Sequence, residues 1–137
     1  MAASEVIEED KAVCQAADKF SKLFYEAFDK RRQAVSNMYK DQACMVWNGN
    51  AVSGQAEIAK FLDSLPSSEF ELKAVDAQRV PDNLTNGQTT MTVLAAGSAT
   101  FEGRTRSFSQ TFLLTAEKSP TDEVLWKIAS DRFRFVD

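Results

Sequence analysis

Four groups of residues carry side chains that could do chemistry. Tyr25, Tyr39, Asp41 and Trp47 could meet at the mouth of a container-like fold, where a carboxylate, two phenols and an indole would face a small molecule, yet no two of them stand at a catalytic spacing. The two tyrosines and the tryptophan also fit the ends of apolar segments, as core residues whose polar tips find a hydrogen bond. Glu8, Glu9 and Asp10 could hold a metal or a basic partner, or form the acidic first turn of a helix; Lys30, Arg31 and Arg32 could be an import signal or meet an acidic partner, or complement a helix C-terminus. The fourth group closes the chain: in V-L-W-K-I-A-S-D-R-F-R-F-V, Arg132 and Arg134 alternate with Phe133 and Phe135. An extended chain sends these pairs to opposite faces, one aromatic and one cationic, and the cationic face asks for an acidic partner in this chain or another.

Other chemistries lack their residues. The 137-residue sequence has no histidine, the commonest general base and metal ligand. Cys14 and Cys44 lie in apolar segments without metal-ligand spacing and read as buried free thiols in a reducing compartment. The glycine-containing run N-G-N-A-V-S-G lacks phosphate-loop spacing. No catalytic, cofactor-binding or metal-binding residue is therefore assigned. A net charge of −4 argues against a surface that grips nucleic acid itself, so any link to RNA runs through a partner. No segment approaches the ~20 apolar residues of a membrane-spanning helix, and the start, M-A-A-S-E-V-I-E-E-D-K, does not read as a secretory signal.

The elements that must position these residues form one domain over 1–137. Val13, Ala16, Ala17, Phe20, Leu23, Phe24, Ala27 and Phe28 recur at helical spacing, and Ala34, Val35, Met38 and Tyr39 resume it after the basic run, as one bent helix or two. From Ala43 the period becomes strand-like, with Asn48-Gly49 as a hairpin turn. Gly54 opens a third helix with Glu57 in its first turn, Ile58, Phe61, Leu62 and Leu65 on one face, and Pro66 at its end. Phe70 and Leu72 have the opposite parity to Val75 and Ala77, which predicts a bulge near Ala74. A turn-rich loop over 81–87 and strands over 89–101, 107–117 and 124–136 follow, the last two joined through Ser119-Pro120-Thr121-Asp122. This is an α+β plan, and three helices can cover only one face of its sheet.

The other sheet face is solvated or paired with another protein. On it fall Thr92, Leu94 and Ala96 of one strand, Ser109, Thr111 and Leu113 of the next, and Gln78, Arg132 and Arg134 at either side. This set is small and semi-polar, flat enough for a second sheet to pack on; a solvated Thr/Ser face explains the same pattern.

The motifs W-N-G-N-A-V-S-G, L-P-S-S-E-F, F-E-G and W-K-I-A-S-D-R-F-R-F, in this order, make the chain resemble the nuclear transport factor 2-related export proteins. The resemblance implies a nuclear transport factor 2-like cone, three N-terminal-half helices on a strongly curved antiparallel sheet. It implies a non-enzymatic small subunit whose open sheet face docks on the related domain of a large messenger RNA export receptor subunit. The pair would pass phenylalanine-glycine nucleoporins while shuttling between nucleus and cytoplasm, with RNA held by the large subunit. The family's interface falls on Leu94, Thr111 and the R-F-R motif, with Arg134 as the arginine that pairs with a partner carboxylate; face parity adds Gln78, Thr92, Ala96, Ser109 and Arg132. The homodimeric import factor of the same superfamily binds a small GTPase through acids on the turn after the fourth strand. Here that turn reads Phe101-Glu102-Gly103-Arg104, one acid and then a base, so GTPase binding is expected to be absent or weak. An isomerase or dehydratase on the same fold is the enzymatic alternative.

Overall fold

The computed structural model describes residues 3–121 and 123–136, with side chains from Ile7 onward, so Asp122 of the last loop lies outside the described residues. Helix α1 (Ala3–Lys30) is followed by a single turn, α2 (Arg32–Val35), and a 3-10 turn over Ser36–Met38. Two helices, not one bent helix, fill this segment, and Tyr39, which sequence periodicity places on the second, is instead the first residue of strand β1 (Tyr39–Trp47). Strand β2 (Asn50–Ser53), helix α3 (Gln55–Asp63) and strands β3 (Ser68–Val80), β4 (Thr90–Phe101), β5 (Arg104–Lys118) and β6 (Val124–Phe135) complete the chain.

The strands form one sheet in the order β2-β1-β6-β5-β4-β3. Every neighbouring pair is antiparallel except β1 and β6, which run parallel because the chain reaches β6 from the far side of the sheet. The β1–β2 hairpin turns at Asn48 and Gly49, both at positive φ, as a two-residue turn between right-twisted strands requires. A register shift between Leu72 and Ala74 places the bulge at Lys73, one residue from its expected position. Opposite it, Gly97 has no room for a side chain: a Cβ there would stand 2.0 Å from the carbonyl oxygen of Glu71. Bulge and glycine together bend the β3–β4 pair, and the bend lets the sheet wrap around α1.

The concave face holds the core. From α1 it receives Ala17, Phe20, Phe24, Tyr25 and Phe28, and from the strands Met45, Met91, Val93, Phe108, Phe112, Ile128 and Phe133. Leu23 is 48 % exposed: the buried stripe is centred between Phe24 and Phe28 and extends to Ser21 and Tyr25, which leaves Leu23 beyond its other edge. Both cysteines are free and exposed, contrary to the buried placement their apolar neighbours suggest. On β1 the side chains alternate, and because Ala43 and Met45 point into the core, Cys44 must point out. Arg32, the last of the basic run, is a structural tie. Its Nε donates to Phe28 O at 2.7 Å and its two Nη atoms donate to Leu62 O, Leu65 O, Pro66 O and Ser68 Oγ at 2.9–3.3 Å, closing the C-terminal ends of α1 and α3 with one guanidinium. Glu9 of the acidic run lies 3.5 Å from Arg79.

Candidate functional site

Of the four residues that could have built a catalytic group, two come close together, through partners that the sequence reading passed over. Tyr25 donates to Gln110 Oε1 at 2.7 Å, Gln110 Nε2 donates to Asp131 Oδ1 at 2.8 Å, and Tyr39 donates to Asp131 Oδ2 at 2.5 Å. Helix α1 and strands β5, β6 and β1 each contribute one member of this chain of hydrogen bonds. Burial pushes the Asp131 carboxyl up to about 6, although the bonds from Tyr39 and Gln110 favour its charged form. Burial and the nearby Asp131 charge push both tyrosines well above the usual phenol value. Asp41 is exposed on β1, and Trp47 stacks on Phe133 with ring centroids 3.9 Å apart.

A carboxyl titrating near neutrality is what a general acid needs. Access is what this one lacks. Asp131 and Gln110 are each 1 % exposed, and the rings of Phe24, Phe70 and Phe108 close round Tyr25 with centroids 5.0–5.7 Å away. The cleft at the mouth of the cone, about 200 Å³, is lined by Trp47, Leu65, Pro66, Phe101, Arg104, Arg106 and Phe135 and reaches none of the four network side chains. A polar groove of about 530 Å³ where β1 splays from β6 includes Tyr39, but not Asp131, in its wall. The network therefore acts as a satisfied polar cross-brace that ties α1, β1, β5 and β6 together.

The convex face is arranged differently. Register places Ala74, Ala96, Ser109 and Arg134 in one row across β3, β4, β5 and β6. The next row is Asp76, Leu94, Thr111 and Arg132, and the third is Gln78, Thr92, Leu113 and Ser130. All eight residues expected on the uncovered face (Gln78, Thr92, Leu94, Ala96, Ser109, Thr111, Arg132 and Arg134) lie in this lattice. The helices pack on the opposite side. Leu94 is 49 % exposed at the centre of the lattice, beside a shallow depression lined by Asp76, Gln78, Thr92 and Thr111. Arg132 and Arg134 are exposed, and among the described residues neither has a carboxylate within 4.0 Å.

Local structure presents the two arginines. Phe133 is buried between Trp47 and Phe108, stacked on both, so β6 cannot slip without exposing it. Asn48 in the hairpin turn donates its N–H to Phe133 O and accepts the Phe135 N–H on Oδ1, both at 2.9 Å. The turn thereby extends the pairing of β1 alongside β6 as far as the arginine pair. Asp76, on the same row as Arg132, was missed by the sequence reading, although its parity matches that of Gln78.

Comparison with known proteins identifies the family and the fold. Residues 16–135 match the nuclear transport factor 2 (NTF2) domain family. NTF2-related export protein 1 of Bos taurus is 50 % identical over 125 residues, which span 90 % of this chain and 89 % of the relative. Among solved structures, nuclear transport factor 2 of Cryptosporidium parvum superposes with a TM-score of 0.74 at 26 % identity, covering 90 % of this chain and 94 % of that one. A putative ketosteroid isomerase from Parabacteroides distasonis shares the fold at a TM-score of 0.67 and 12 % identity, covering 88 % of each chain.

Proposed function

The chain belongs to the nuclear transport factor 2 domain family, among the NTF2-related export proteins, and on that footing we propose that it is the non-enzymatic docking subunit of a nuclear messenger RNA export receptor. Its uncovered sheet face seats the related domain of a large subunit. The heterodimer then passes phenylalanine-glycine nucleoporins and shuttles between nucleus and cytoplasm, with RNA contacts made by the partner.

The observation that carries this reading is the convex lattice. Leu94 and Thr111 are paired in register at its centre, and Arg132 and Arg134 stand at its side without an intrachain carboxylate among the described residues. Small side chains let a second sheet approach to the ~10 Å of face-to-face packing, and two guanidiniums without acids are matched by a partner that brings them. The Tyr39–Asp131 pair, whose carboxylate lines neither cleft, supports a structural duty rather than isomerase chemistry. At the β4–β5 turn, Glu102 is followed by Gly103 and Arg104, which supports the absence of a GTPase site built on acids.

Co-expression with the large subunit's related domain tests the proposal. A stable one-to-one complex is expected. A chain that remains alone, or that forms a self-sufficient symmetric dimer indifferent to the large subunit, would refute it.

A further inference from the structure

Arg132 and Arg134 share a face but are held differently by the main chain. The backbone groups of a strand between two neighbours turn alternately to one and to the other. On β6 the alternation is fixed by three bonds: Val136 donates its N–H to Ser107 O on the β5 side at 3.0 Å, while Phe133 O and the Phe135 N–H turn to the β1 side, where both meet Asn48. The backbone of Arg132 and of Arg134 therefore bonds toward β5, and the hold on the other edge comes from the residues beside them. For Arg132 that hold is strand β1, which runs alongside through the pairs Val46–Arg132 and Trp47–Phe133. There β1 ends. Arg134 lies one residue beyond it.

Asn48 takes the place of the missing strand. Its N–H donates to Phe133 O and its Oδ1 accepts the Phe135 N–H, both at 2.9 Å, so one residue grips the main chain on either side of Arg134. The side-chain oxygen stands in for the carbonyl of a strand residue that the turn has carried away. The turn itself does not need this oxygen. Asn48 has a φ of 47°, which glycine adopts at no steric cost, so the backbone conformation would be served by either residue.

We propose that Asn48 is a positioning residue for docking, fixing through the main chain of β6 the direction in which Arg134 leaves the sheet. The inference rests on the docking reading above. Without the Oδ1 bond the last residues of β6 are held on one edge only, by β5, and packing beyond Arg134 is thin: Phe135 is half-buried and Val136 is 58 % exposed. The end of the strand can then twist, and a partner must order it on binding, which lowers affinity. Arg132, flanked by β1 and β5, is independent of Asn48.

The test is a set of double-mutant cycles on the full chain, read as affinity for the large subunit's related domain. Asn48→Gly keeps the turn and removes the acceptor. It is expected to weaken binding about 10-fold in the wild-type and Arg132→Ala backgrounds, and by less than about 2-fold in the Arg134→Ala background. In the free chain the same substitution should speed hydrogen exchange of the Phe135 amide. Tyr25→Phe, a loss of one hydrogen bond under α1, controls for general destabilisation and should leave affinity unchanged. Binding of Asn48→Gly at wild-type strength, an equal loss in all three backgrounds, or unaltered exchange at Phe135 would each overturn the assignment while leaving the docking reading intact. No binding by the wild-type chain would overturn both.

Discussion

Tyr39 Oη stands 2.5 Å from Asp131 Oδ2, joining the first residue of β1 to the last strand across 92 positions of sequence. The bond sits where the parallel register of these strands jumps from Tyr39–Ile128 to Cys44–Ser130. It bridges a stretch in which the backbone ladder is interrupted. Tyr39→Phe removes one of the two donors to a buried carboxylate and should cost about 2–3 kcal/mol in urea denaturation. Tyr25→Phe, which orphans a neutral amide oxygen, should cost less, about 1–2 kcal/mol.

The same carboxylate sets a pH dependence. Its folded value of about 6 lies above its ordinary value of 3.8, so the folded state binds this proton more tightly than the unfolded state does. The stability it contributes is fully present below about 3.8 and is lost as pH rises through about 6. Between pH 7 and pH 5 this group should therefore raise stability as the solution is acidified, by at most about 1.4 kcal/mol per pH unit. Melting curves of wild type and Asp131→Asn check it: the difference between their pH profiles should carry the slope, and parallel profiles would count against the shift.

Asp131 also shows what could be read from the sequence and what could not. It shares the parity of Phe133 and Phe135, and Gln110 shares that of Phe108 and Phe112, so a carboxylate and an amide on aromatic faces were visible as oddities. That they meet depends on the β5–β6 register and on which turn of α1 lies above them, which no local pattern encodes. Features with a local cause were legible: the Asn48-Gly49 hairpin, the bulge beside Ala74, the parity that sorts Leu94 and Thr111 outward. The parallel β1–β6 pairing, the exposure of both cysteines and the multiple duties of Arg32 required the assembled sheet.

Arg32 supports a sharper test than its place in a basic run suggests. Arg32→Ala frees carbonyls at the ends of two helices and should destabilise by about 2–3 kcal/mol. Arg32→Lys should recover little of it, because an ammonium cannot span acceptors from Phe28 to Ser68 as a planar fork does. Full recovery by lysine in thermal melts would mean that charge alone matters there.

At Gly97 a methyl group would meet the backbone of Glu71 rather than a yielding side chain. Gly97→Ala should cost about 1–3 kcal/mol and flatten the bend of β3 against β4. Its effect on the docking lattice should follow, seen as a weaker complex with the large subunit.

The most direct test of the central claim is the dissociation constant for the large subunit's related domain, compared between wild type and Arg134→Ala. If the docked guanidinium is buried against a partner carboxylate, its removal strands that charge and should cost roughly 3–5 kcal/mol, a loss of about 150- to 4,000-fold in affinity. A change under about 1 kcal/mol would place Arg134 on an exposed rim and contradict the account of β6 as the strand offered for docking.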